Sequence, residues 1–83
     1  MQVSFAHPTS SDLFQADCDP QCTGQLAIDG LIGARFVERP ARGTYDLVLS
    51  RTRAPIHPHA SFESVGVSAG DLIQIFRRGA GAA

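Results

Sequence analysis

The side chains of this 83-residue chain whose types could carry chemistry fall into three groups. Cys18 and Cys22 stand three residues apart across Asp19-Pro20-Gln21, and His7, His57 and His59 would complete the donor types of a Cys2His2 metal site. The spacing of the set matches none of the usual zinc patterns, so no metal is expected. Two cysteines in a cytosolic chain are weak evidence for a disulfide. A reversible disulfide stays open beside the plainer reading of two small, half-buried thiols. The second group is His57-Pro58-His59, where proline holds two imidazoles on a surface turn; a solvated loop is the reading taken. There is no Gly-rich phosphate loop, no HExxH, and no pairing of nucleophile and base. The expectation is a protein with no catalytic residues and no cofactor. The third group is the C-terminal stretch Phe76-Arg77-Arg78-Gly79-Ala80-Gly81-Ala82-Ala83. Leu72, Ile73, Ile75 and Phe76 favour a pleated, half-buried surface. From Gly79 onward there is almost no side chain to bury, and nothing offsets the entropy of ordering the backbone. A strand running into a small, smooth end reads as a tail presented to another molecule.

The bulk composition narrows the setting. All seven basic residues are Arg, and the chain has no Lys, so its one amine is the α-amino group of Met1. A net charge of −1 gives no reason to expect nucleic acid or an anionic membrane as partner. No apolar run approaches the roughly 20 residues that span a bilayer. Met1-Gln2-Val3-Ser4-Phe5 lacks the basic and apolar regions of a signal peptide, and a cytoplasmic monomer is the expectation. A chain of this length makes one domain with one modest core.

The elements that would position these groups follow from periodicity. Met1, Val3 and Phe5 alternate with Gln2 and Ser4, which predicts a strand with one buried face. Pro8-Thr9-Ser10-Ser11 is a turn, and Phe14, Ala16 and Cys18 alternate with Leu13, Gln15 and Asp17 in a second strand, giving an antiparallel hairpin. Thr23 predicts an N-cap for a helix over about 24–36. Ala27, Ile28, Leu31, Ile32 and Ala34 share one face of it, with Leu26 off-centre, while Gly24, Gly30 and Gly33 weaken it. The run from Glu38 to Thr44 reads as a loop. Tyr45, Leu47 and Leu49 mark a third strand, and Pro55 confines Ala54–His57 to a short edge strand. Ser61-Phe62-Glu63-Ser64-Val65-Gly66-Val67, with an N-cap-like Ser and two apolar anchors, predicts a single helical turn, and the last strand follows the turn Ser68–Asp71. The fold class is α+β, a mixed sheet of about five strands packed on one helix in the order ββαββ(short turn)β, with the first and last strands as central neighbours.

This order and three local motifs resemble the ubiquitin-like β-grasp proteins. Met1-Gln2-Val3 repeats the Met-Gln-aliphatic opening of ubiquitin, and Thr23 sits where the family caps its helix. Phe62-Glu63-Ser64-Val65-Gly66-Val67-Ser68-Ala69-Gly70-Asp71 is similar to the family's Leu/Phe-x-x-x-Gly-Val-x-x-Gly-Asp run. That run is typical of small bacterial members, both those accompanying type VII secretion and those in ubiquitination-like operons. The resemblance implies a domain over 1–78 and a flexible tail over 79–83.

The same resemblance implies a bacterial protein modifier, whose tail is trimmed to a Gly carboxylate, adenylated by an ATP-dependent activating enzyme and conjugated to targets. Its partners would be the activating enzyme, a conjugating enzyme, a tail-processing protease and the target proteins. Gly79, Ala80 and Gly81 are the conjugation and processing residues on this reading; without a Gly-Gly pair, Gly79 and Gly81 both remain candidate ends. A terminal residue lacking Cβ threads a narrow channel most easily, and Arg77 and Arg78 would hold the tail by pairing with carboxylates. Without Lys, such a modifier would be added singly and not as lysine-linked polymers. Family members also bind through an apolar patch on the outer sheet face. If Leu47, Ile73 and Ile75 point inward, Val48, Leu72, Gln74 and Phe76 form that patch. The alternatives are a non-conjugated, secretion-associated interaction module and a sulfur-carrier β-grasp protein.

Overall fold

The computed structural model describes residues 1–39 and 44–78. Its elements are β1 (Gln2–Ala6), β2 (Leu13–Asp17), α1 (Gly24–Gly33), β3 (Thr44–Leu49), β4 (Ala54–Ile56), α2 (Phe62–Val65) and β5 (Leu72–Arg78). The strands form one sheet in the order β2-β1-β5-β3-β4. β1 and β5 run parallel, and the other neighbours are antiparallel. The first and last strands are therefore the central neighbours expected, and Pro55 lies on an edge strand, where the N–H it lacks leaves no gap in the ladder.

Alternation along the strands sends one set of side chains inward. Val3 and Phe5 of β1, Leu47 and Leu49 of β3, and Ile73 and Ile75 of β5 are buried, and the register pairs Leu47 with Ile75 and Leu49 with Ile73. Ala27, Ile28 and Leu31 of α1 cover them, joined by Ile56, Phe62 and Val67. Each such aliphatic or aromatic side chain contributes about 1.5–3 kcal/mol by leaving water. Tyr45 is buried with the core, and its hydroxyl donates to the Glu38 carbonyl at 2.6 Å.

The helix begins as its sequence predicts and ends sooner. Thr23 Oγ1 accepts from the Leu26 N–H at 3.3 Å. Two further first-turn donors find partners outside the helix: the Gly24 N–H donates to the Ala60 carbonyl and the Gln25 N–H to the Pro58 carbonyl. The His57–Ala60 loop is thus an external cap that satisfies donors the helix leaves open. Gly24 makes this approach possible, since a Cβ there would lie 3.0 Å from the His57 carbonyl oxygen. At the other end α1 stops at Gly33 and not at residue 36. The Phe36 N–H reaches the Leu31 carbonyl and the Arg35 N–H the Ile32 carbonyl, both at 3.0 Å, which is the double bond pattern of a Schellman cap. Its left-handed residue is Arg35, with φ 61°. Ala34, expected on the apolar face, is exposed past the helix end.

α2 closes with the same pair of bonds, from Val67 to Phe62 and from Gly66 to Glu63, and here glycine supplies the left-handed position with φ 88°. The turn that follows is tied down on several sides. Arg51 donates to both carboxylate oxygens of Asp71, at 3.1 and 3.0 Å, and to the Gly66 carbonyl at 2.8 Å. Asp71 Oδ2 also accepts from the Ser68 N–H at 2.8 Å. The Gly70 N–H donates to the Gln2 carbonyl, and the Ser4 N–H to the Asp71 carbonyl. The Gly66–Asp71 run is therefore a clamp that sets where β5 starts against β1.

Candidate protein-interaction site

With Ile73 and Ile75 fixed inward, the intervening pairs Val48–Gln74 and Asp46–Phe76 lie on the opposite face of the sheet. Phe76 is 48% exposed, Gln74 is exposed, and Val48 and Leu72 are half-buried. The four residues named from the sequence thus share the outer face. Val48, Gln74 and Phe76, with Ser50 and Arg53, surround a shallow depression of about 380 Å³. The register extends the surface beyond those four: Leu13, Ala6, Gln74, Val48 and Pro55 stand in one row across all five strands. Leu13 is 61% exposed. Its place in this row was not legible, because it depends on the parallel register between β1 and β5.

β5 ends near a second feature. Arg77, the last residue whose side chain is described, lines a cavity of about 380 Å³ with His7, Thr9, Arg35, Glu38 and Tyr45. Phe36 forms its apolar wall and meets the His7 ring edge-on, with centroids 5.3 Å apart. The left-handed turn at Arg35 brings this second guanidinium to the C-terminal end of β5. Sequence reasoning named Arg77 and Arg78 there and missed Arg35, whose signal is hidden in an unusual helix end. Arg78 pairs with Thr44 in the β3–β5 ladder. Gly79, Ala80 and Gly81 lie outside the described residues, as does the rest of the stretch assigned to the tail.

A further cavity, of about 550 Å³, is a groove between β2 and α1. Phe14, Ala16 and Cys18 of the hairpin form one wall; Leu26, Ala27 and Gly30 of the helix form the other. Small residues at Ala27 and Gly30 keep the helix from filling the space, so the inward-facing β2 side chains remain half-buried. Cys18 and Cys22 are both free and both line this groove. Burial raises both thiol pKa values above the ordinary range; the neighbouring Cys22 adds to the effect at Cys18, and Asp19 adds to it at Cys22. Among the described residues no three His, Cys, Asp or Glu side chains gather as a metal site, and no helix is long and apolar enough to cross a membrane.

No protein-family model matches the chain, and no curated protein matches it in sequence. Solved structures do. A chain of the MycP5-free ESX-5 inner membrane complex, in its State II, superposes with a TM-score of 0.73 at 19% identity over 95% of this chain. The match spans 21% of that chain, about one fifth of its length. A ubiquitin-like protein from the hyperthermophilic archaeon Caldiarchaeum subterraneum superposes with a TM-score of 0.55 at 15% identity, covering 96% of this chain and 99% of that one. The element order, the β2-β1-β5-β3-β4 sheet and these likenesses give the chain the ubiquitin-like β-grasp fold.

Proposed function

We propose that this chain is a ubiquitin-like interaction module that docks onto a protein partner through the outer face of its sheet. The observation that carries the reading is the exposed row around Val48, Gln74 and Phe76, set on a sheet whose other face holds the core. An exposed aromatic beside a half-buried aliphatic costs little to desolvate and gives a partner an apolar anchor. The likeness to a segment of a chain in the ESX-5 inner membrane complex supports a secretion-associated adaptor role, in which this domain would seat against other components of an assembly. The test is co-purification with the products of neighbouring genes, using the chain with and without Phe76→Asp and Val48→Asp. Loss of a partner on these substitutions, with the fold intact, is the expected result; retention of every partner would refute the reading.

The second reading is the protein modifier, and one observation favours it. β5 ends with Arg77 and Arg78 immediately before Gly79, so a tail read by an activating enzyme would begin where the strand stops. On this reading Ala80–Ala83 is trimmed and Gly79 is activated. Deletion of Ala80–Ala83, followed by incubation with a cognate activating enzyme and ATP, separates the two readings. Adenylation of the trimmed protein supports the modifier, and failure of both trimmed and intact forms leaves the adaptor.

A further inference from the structure

Cys18 and Cys22 occupy the two ends of one tight turn at the lip of the β2–α1 groove. The Cys22 N–H donates to the Asp19 carbonyl at 2.8 Å, and the Gln21 N–H donates to Asp19 Oδ1 at 2.8 Å. The backbone thereby reverses between the end of β2 and the cap of α1. Both ends of the turn are also held from outside. The Cys18 N–H donates to the Met1 carbonyl at 2.7 Å, and the Cys18 carbonyl accepts from the Met1 amine at 2.8 Å. On the far side the Cys22 carbonyl accepts from the Phe62 N–H and the Pro20 carbonyl from the Glu63 N–H, both at 2.9 Å. Cys22 Sγ lies 3.5 Å from the Thr23 carbonyl oxygen, and both half-buried thiols face the same groove.

We propose that Cys18 and Cys22 form a dithiol modification site, closed to an intramolecular disulfide by small disulfide oxidants of the glutathione-disulfide class. One cysteine, as its thiolate, attacks a sulfur of the oxidant. The oxidant's S–S bond breaks, and the first glutathione leaves as a thiolate. The second cysteine gives its proton to solvent and attacks the protein-side sulfur of the mixed disulfide, which releases the second glutathione. Two protein thiols are oxidised and one oxidant disulfide is reduced to two thiols. The pinned turn favours the second step over capture by another molecule, since it holds one thiol beside the other at high effective concentration. Partial exposure lets the oxidant in. Burial keeps the thiolate fraction low, so the reaction is slow.

The Asp19–Pro20 bond lies between the two cysteines and is labile in mild acid, which gives a direct readout. The full chain is equilibrated with glutathione redox buffers, quenched in acid, and cleaved at Asp19–Pro20. The expected result is a monomer lighter by two hydrogen atoms, with no alkylatable thiol, whose two acid fragments stay joined until reduced. Cys22→Ser is expected to hold a glutathione adduct on Cys18, and Cys18→Ser one on Cys22. Three outcomes overturn the proposal: stable glutathione adducts on the unsubstituted chain, disulfide-linked dimers in place of the internal bond, or two free thiols in a buffer that oxidises a reference dithiol peptide.

Discussion

At its first residues β5 pairs with a strand on both sides, whereas among the described residues its last ones pair with a strand on one side only. Leu72, Ile73 and Gln74 pair with Ser4, Phe5 and Ala6 of β1 in the ladder, and Ile73 and Gln74 also face Leu49 and Val48 of β3. From Ile75 onward, among the described residues, β5 pairs with β3 alone. Side-chain exposure follows the alternation of the strand: Ile73 and Ile75 are buried, Gln74 is exposed and Phe76 is 48% exposed. Immediately before the strand, the Arg51–Asp71 clamp fixes its register; immediately after it comes the stretch that the modifier reading assigns to enzymes. The residues that identify the fold and those offered to a partner are thus neighbours on one strand, and the former are structural. The Gly66–Asp71 run carried much of the resemblance, yet its hydrogen bonds are spent on closing α2 and on positioning β5.

The sharpest test of this contrast is truncation at the two ends of β5. Ile73→Ala removes a fully buried side chain from the middle of the sheet and leaves a cavity that close-packed neighbours cannot fill, which costs about 2–5 kcal/mol. Urea denaturation should show a lower midpoint with an unchanged slope. A loss under about 1 kcal/mol would mean that the core relaxes around this site and that β5 is not its anchor.

A smaller effect is expected at the clamp, and it should depend on pH. The hydrogen bonds from Arg51, and next the Ser68 N–H, hold the Asp71 carboxyl below the usual carboxylate range. A depressed folded-state pKa means that the ionised form favours the folded state. The associated stability is present above the unfolded value of about 3.9 and disappears as pH falls through the depressed folded value. Asp71→Asn should therefore destabilise the protein at neutral pH, and the difference from the unsubstituted chain should shrink as the pH falls through that window. Arg51 is 53% exposed on its side chain, so added salt should reduce the difference as well. A gap between the two proteins that is constant with pH would place the clamp's contribution in its backbone hydrogen bonds instead.

What the sequence disclosed follows the range of the interactions. Period-2 alternation places β1, β2, β3 and β5, and with Ile73 and Ile75 inward the outward phase of Leu72, Gln74 and Phe76 comes with them. Thr23 and Ser61 announced their helix starts because a cap acts over three residues. The end of α1 was misplaced because its left-handed position is held by Arg35, where a glycine would be the usual sign; the nearby Gly33 lies inside the helix. Gly24 read as a weakness because the carbonyl it admits belongs to His57, far along the chain. The same holds for Arg51 with Asp71 and for Arg35 with Arg77, which only the folded topology brings together. The groove was invisible for a related reason: it is a gap left between β2 and α1 by two small residues on the helix.

The smallest effect is predicted where function is proposed. Phe76→Ala removes a ring that is 48% exposed, on a strand end flanked by one neighbour. The half that remains in contact packs on the outer face, where solvent replaces the lost ring and no enclosed cavity forms, so the cost should stay within about 1 kcal/mol. Thermal unfolding should shift by a few degrees at most, far less than for Ile73→Ala. If the outer face is a docking surface, the same substitution should weaken partner binding out of proportion to its effect on stability, because a half-exposed ring gains its remaining burial only in the complex. A Phe76→Ala protein that unfolds as readily as Ile73→Ala would collapse the contrast between the two ends of β5, and would make Phe76 a part of the core rather than of the surface.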